Sequence, residues 1–147
     1  MKLFFKKVNK TNKGFTLVEM LVAISIFTVS LLGIMSVLAS GVANTTYAKQ
    51  KMVATYLAQE GIEYVRNMRD TEVLYGSGNI IARWNRFKNN PNIASTIPAP
   101  SDASFTRTIS MTKINSDEVQ IFSKVEWTQG SGSYSITFSE NLFNWIE

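Results

Sequence analysis

The sequence of 147 residues contains no cysteine and no histidine. Disulfides, thiolate metal sites, Cys–His and Ser–His nucleophile pairs and imidazole metal clusters are therefore excluded. Proline occurs only three times, and not before Pro91, so no such residue interrupts a helix in the first ninety positions. Acid is missing from the first fourteen residues, which hold five lysines (Lys2, Lys6, Lys7, Lys10 and Lys13). The formal charge of +4 suggests a nucleic-acid partner, but its distribution opposes that reading. Beyond Lys13, ten basic residues are set against eleven acids, so the body carries a small net negative charge. With 45% apolar and 18% charged residues, most of the chain has enough apolar surface to offset its ordering entropy. The length suits one domain of ordinary size.

From Met20 to Ala48 there is no charged residue, a stretch of 29 positions. About 20 residues of helix cross a hydrocarbon core, so this run is long enough to span a membrane. A secretory signal would carry a shorter apolar core followed by a small-residue cleavage site, and neither is present. The lysines ahead of the run predict a cytoplasmic N-terminal side, with the remainder outside. The plain reading is a single-pass anchor. Glu19, at the entrance of the run, does not serve such an anchor. An acid at the bilayer centre costs about 2.5–3.5 kcal/mol, and a carboxylate near it implies a positive partner in the assembled state.

The segment Lys13-Gly14-Phe15-Thr16-Leu17-Val18-Glu19 resembles the cleavage and methylation motif of type IV pilins and type II secretion pseudopilins. Its elements are a short basic leader ending in Gly, then Phe, then a Glu as the fifth residue after the cut, with the apolar helix directly behind. The likeness is strong over residues 1 to about 43. It implies a leader peptide over 1–14, a prepilin peptidase cutting between Gly14 and Phe15, and N-methylation of Phe15. It also implies that Glu19 pairs with the N-terminal amine of a neighbouring subunit during filament assembly. Elementary electrostatics agrees. An α-amine has a pKa near 8 and is largely positive at neutral pH. In an apolar filament core, the amine and the carboxylate offset each other's desolvation only when paired, so the pair sets register. A glycine at the cut lets a protease approach the backbone closely.

Beyond Ala48 the pattern becomes amphipathic. Val53, Leu57, Gly61, Tyr64 and Met68 mark one helix face, and Ala54, Ala58, Ile62 and Val65 widen it. Thr55, Gln59, Glu63 and Arg66 fall opposite, with Glu63–Arg66 and Arg66–Asp70 as surface ion pairs. The expected organisation is one long helix over 15–70, about 84 Å long. Its half 15–43 is expected in the membrane or filament core, and its half 44–70 packed on a domain. Residues 71–147 then supply a connecting loop and an antiparallel sheet. In the loop, Ile80, Ile81, Trp84 and Phe87 suit one or two helical turns. The alternating sets Phe105, Arg107, Ile109, Met111 and Val119, Ile121, Ser123, Val125, Trp127 predict two strands. Tyr134, Ile136 and Phe138 begin a third, with turns at 115–118 and 129–133. Leu142, Phe143, Trp145 and Ile146 are expected to cap the core. The fold class is α+β: a long N-terminal helix packed on three or four antiparallel strands, an outline that also resembles the pilin fold.

No catalytic constellation is found, and the chain reads as non-enzymatic, without cofactor or metal. Asp117 and Glu118 are adjacent carboxylates in a turn. Arg83, Arg86 and Lys88 interleave with Trp84 and Phe87, a composition that can bind single-stranded nucleic acid. The better reading buries the aromatics and leaves the cations outside. The resemblance therefore implies a structural subunit of a type IV pilus or pilus-like filament. The implied partners are the peptidase, other pilin subunits through helix–helix packing, the inner-membrane assembly platform and the cytoplasmic membrane. The subunit would reside in that membrane before entering an extracellular or periplasmic filament. Ser36 stands where many major pilins carry a proline. Together with Ala58–Glu63 and Arg66–Asp70, this is more similar to minor pilins and the I-type pseudopilins. A pseudopilin of a type II secretion or DNA-uptake apparatus is the alternative, and an unprocessed membrane-anchored binding domain is a third reading.

Overall fold

In a computed structural model of the chain, residues 14–93 and 97–144 are described. The elements in chain order are α1 (Leu17–Tyr75), α2 (Ile80–Lys88), β1 (Phe105–Lys113), β2 (Glu118–Gln129) and β3 (Gly132–Phe143). The strands form one antiparallel sheet in the order β1-β2-β3. This is the expected α+β, pilin-like arrangement, with three strands. Two compact units divide the chain, one ending at Ala43 and the other beginning at Asn44.

In the first unit every described residue from Gly14 to Ala43 is exposed. Phe15, Leu17, Phe27, Val29, Leu32 and Val37 are among the most open. Four hydroxyls within the run find partners in the helix itself. Ser25, Thr28, Ser30 and Ser40 hydroxyls donate to the carbonyls of Leu21, Ser25, Ile26 and Ser36 at 2.7, 2.9, 2.8 and 3.1 Å. Such back-bonding satisfies a hydroxyl inside the helix itself, which lets it enter an apolar medium.

In the second unit, α1 buries Ala54, Ala58, Gly61, Ile62, Val65, Arg69 and Val73. This corrects the expected face. Tyr64 is 38% exposed, and Val53, Leu57 and Met68 are only half-buried. The buried stripe lies about one residue round the helix, because small side chains let the helix backbone approach the sheet. An apolar count marks how large the face is, not where its closest contact falls. The helix also runs to Tyr75 rather than to about Asp70. Its last carbonyls find a partner in Arg83, which donates to Val73 O at 3.0 Å and Leu74 O at 3.5 Å, and also to Gly78 O of the following loop at 2.9 Å. A cationic donor at a helix C-terminus satisfies orphan carbonyls.

The strand alternation is as expected. In β2, Val119, Ile121, Ser123, Val125 and Trp127 are all buried, opposite Met111, Ile109, Arg107 and Phe105 of β1 on the same face. They meet the α1 stripe, while Trp84 and Phe87 of α2, with Ile93, Ile97 and Leu142, complete the core. Trp84 Nε1 donates to Ser116 O at 2.8 Å, tying α2 to the β1–β2 turn. Of the expected cap, Leu142 is buried and Phe143 is 50% exposed. β3 runs on through both, and alternation puts them on opposite faces. Trp145 and Ile146 lie outside the described residues.

One ion pair differs as well. Arg66 meets Glu63, as its spacing suggests, but its second partner is Glu140 of β3 at 2.6 Å. Asp70 instead pairs with the neighbouring Arg69 at 2.6 Å. A partner 74 positions away is invisible to the i, i+4 rule.

Candidate functional site

The residues singled out by the sequence motif lie at the very start of α1. Gly14, Phe15 and Thr16 precede the helix in non-helical backbone. Gly14 has open space around the position of a missing Cβ, and Phe15 is 83% exposed. Nothing among the described residues requires a glycine at 14.

Glu19 has a local role that the sequence reading missed. Thr16 stands one residue before the helix, and its hydroxyl accepts from Glu19 N at 3.2 Å. The Glu19 carboxylate reaches back and accepts from Thr16 N at 2.9 Å and from Thr16 Oγ1 at 3.0 Å. This is a capping box: the two residues satisfy each other's orphan amides, and the acid sits at the positive end of the helix dipole. The signal was legible as Thr-x-x-Glu directly before an apolar run. The carboxylate is therefore held at the helix start, exposed and bound to Thr16. The five leader lysines lie outside the described residues.

The other candidates are engaged elsewhere. Asp117 accepts from Ser116 Oγ at 2.6 Å and from Asn144 Nδ2 at 3.1 Å. These hydrogen bonds hold its carboxyl below the ordinary value, with a smaller contribution from the Lys88 charge. Glu118 accepts from Asn115 Nδ2 at 2.9 Å and Asn141 Nδ2 at 2.7 Å. Both acids pin the turn between β1 and β2 to the end of β3. Of the basic–aromatic segment, Trp84 and Phe87 are buried. Arg83 is turned onto the end of α1, Arg86 onto Glu72 and Ser77 O, and Lys88 onto Ser116 O. Their donors serve carbonyls and a carboxylate of the fold, which leaves little of them for a phosphate backbone.

What remains unexplained by the fold is the surface of the first half of α1. Its 18-residue window of highest hydropathy averages 2.5 and none of it is buried. By length and composition this helix can cross a membrane. A helix apolar all round is covered either by lipid or by other helices, and the capped Glu19 stands at its mouth.

Residues 9–35 match the family described as the prokaryotic N-terminal methylation motif. No curated protein and no solved structure matches the chain.

Proposed function

We propose, from a methylation motif that supports a prepilin-type protein processed at its N-terminus, that this chain is a structural subunit of a type IV pilus or pilus-like filament, and a minor one. The observation that carries the reading is the junction itself. The motif ends in an apolar helix with no internal partner, headed by a carboxylate. In this reading prepilin peptidase cuts between Gly14 and Phe15, and Phe15 is N-methylated. The new amine then meets Glu19 of a neighbour. The segment from Phe15 to Ala43 waits in the cytoplasmic membrane, with the C-terminal domain outside. It exchanges lipid for other subunits' helices at the assembly platform. The body from Asn44 onward is a head that the helix carries, and its role is structural rather than catalytic.

A pseudopilin of a secretion or DNA-uptake apparatus would use the same packing. Ser36, in place of the family's common proline, and the Ala58–Glu63 segment support a minor or I-type subunit in either machine. Neighbouring genes for a pilus, or for secretion or competence, separate the two.

The test is the mass of the N-terminus in cells that carry the peptidase. The expected species begins at methylated Phe15, and Gly14→Val retains the leader because its side chain obstructs approach to the scissile bond. A wild-type chain still beginning at Met1 would make it an unprocessed anchor. A Gly14→Val chain beginning at Phe15 would refute the assigned cut.

A further inference from the structure

The head presents an aromatic and basic patch at the end where α1 enters it. Tyr47 of α1 lies 5.0 Å from Tyr134 and 6.4 Å from Trp127, ring centroid to centroid, and Trp127 stacks on Tyr134 at 5.7 Å. Trp127 and Tyr134 face each other in the β2–β3 register. Trp127 is buried and serves as the platform, whereas Tyr134 is 38% exposed and Tyr47 half-exposed. The hairpin closes beyond them through Gly130 and Ser131. Gly130 has φ 58° and Ser131 has no positive φ, the pattern of a tight two-residue turn. Gly132 completes the arrangement. A Cβ there would lie 3.0 Å from the Tyr134 ring, so the missing side chain makes room for it. Lys51 stands 5.9 Å over the Tyr47 ring, and both Lys49 and Lys51 are exposed. The one carboxylate of the hairpin end, Glu126, is engaged by Lys124 at 2.7 Å.

The position of this patch along α1 determines what it meets. The uncharged stretch from Met20 to Ala48 corresponds to about 43 Å of helix, close to the roughly 40–45 Å of a bilayer with its headgroups. Tyr47 therefore comes at the outer headgroup level, and the first charges after the stretch, Lys49 and Lys51, come at the lipid surface. Tyr134 and Trp127 lie within 6.4 Å of Tyr47, so the hairpin end accompanies that residue. Tyrosine and tryptophan favour this interface, where an apolar ring and a polar edge are both accommodated. The two exposed lysine charges beside them, which form no ion pair among the described residues, complement anionic phosphates.

We infer that, while the subunit is in the membrane, the β2–β3 hairpin end docks on the headgroups of anionic phospholipids, with Tyr47 and Tyr134 as the interfacial rings and Lys49 and Lys51 as the phosphate partners. This rests on the membrane-resident reading above and adds a residue-level lipid contact to the head. It gives the head one orientation before assembly, and extraction of the subunit must release the patch.

The absence of cysteine lets single thiols be placed at will. The full-length chain carrying Ser131→Cys at the hairpin tip, or Ser116→Cys at the opposite turn, is labelled with an environment-sensitive dye. Each is placed sparsely in vesicles of phosphatidylcholine alone or enriched in phosphatidylglycerol, with a quencher on the lipid headgroup. Resistance to alkaline extraction reports insertion separately. A chain that alkali removes would sink both this inference and the membrane reading. For an inserted chain, quenching at 131 is expected to exceed that at 116 by about twofold or more, to rise with phosphatidylglycerol, and to lose that rise in Lys49→Gln/Lys51→Gln. Equal quenching at the two positions, or quenching at 131 indifferent to lipid charge and to both lysines, would overturn the docking while leaving the anchor intact.

Discussion

Gly61 of α1 lies directly against Ser123 of β2. A Cβ built on Gly61 would stand 2.5 Å from Ser123 Oγ and 2.7 Å from Ile109 Cδ1. The Ser123 hydroxyl is fully buried and has no hydrogen-bond partner among the described residues. The helix here meets the sheet through a missing side chain, over a hydroxyl with no hydrogen-bond partner among the described residues. Gly61→Ala gains about 1 kcal/mol of helix propensity but forces an overpacked contact that typically costs 1–3 kcal/mol. The steric effect is expected to win, because two side-chain atoms must move at once. Ser123→Ala removes an unpaired buried polar group and is expected to be neutral or stabilising. Combined, the two changes should cost less than their sum. Urea melts of the four proteins decide the matter, and strict additivity would show that the two residues do not touch.

Glu19 caps its helix, and in the proposed assembly it also pairs with a neighbour's amine; two substitutions separate the cap from that pairing. Glu19→Gln keeps a capping-box side chain and loses the charge, whereas Glu19→Val loses both. Both variants are expected to insert into the membrane at least as well as the wild type, since the acid is gone. If the pairing with a neighbour's amine governs assembly, both fall out of sheared filament fractions on immunoblots. If the cap is the essential part, only the valine variant does so. Wild-type levels of Glu19→Gln in filaments would end the pairing model.

The head beginning at Asn44 is expected to fold without the preceding helix, because residues 44–147 form one compact unit with both core clusters inside it. Circular dichroism should show helix and strand, with a cooperative melt. Starting instead at about residue 66 removes the buried Ala54, Ala58, Ile62 and Val65 and uncovers Ile121, Val125 and Trp127. Losing several buried side chains at about 2–5 kcal/mol each for the larger ones exceeds a common total stability of 5–15 kcal/mol. A shorter piece melting as cooperatively as the longer would show that the helix is no part of the core.

Acid should weaken the β1–β2 turn by protonating Asp117. The Asp117 carboxyl is held below its ordinary value of 3.8, chiefly by the Ser116 hydroxyl and then by Asn144. Asp102 is lowered likewise by Ser104. A depressed carboxyl contributes stability that is complete above its unfolded pKa and is lost as pH falls through the folded one. The loss attributable to these two groups therefore begins near pH 4 and deepens below it. Asp117→Ala should flatten the acid limb of a thermal-stability profile between pH 4 and pH 2 and leave the neutral region's slope alone. An unchanged acid limb would assign that dependence to other groups.

Sequence alone determined the features that are local along the chain. The uncharged run from Met20 to Ala48, the Gly14-Phe15…Glu19 spacing and the period-two alternation of β1 and β2 depend on near neighbours. The capping box between Thr16 and Glu19 belonged to this class too and was legible, although the acid's charge drew attention away from its spacing. Tertiary structure decided whatever depended on distance between elements. It put Ala54, Ala58, Ile62 and Val65 at the centre of the face beside Gly61 and left Val53, Leu57 and Tyr64 toward its edge, because closeness of approach, not hydrophobicity, selects the centre. It gave Arg66 a carboxylate on β3, and it turned Arg83, Arg86 and Lys88 from a basic segment into clasps for carbonyls and Glu72. It also brought Tyr47 into one patch with Trp127 and Tyr134, although it lies eighty or more residues from both in sequence. Period and spacing are properties of a chain, but the partner of a side chain exists only after the elements have packed.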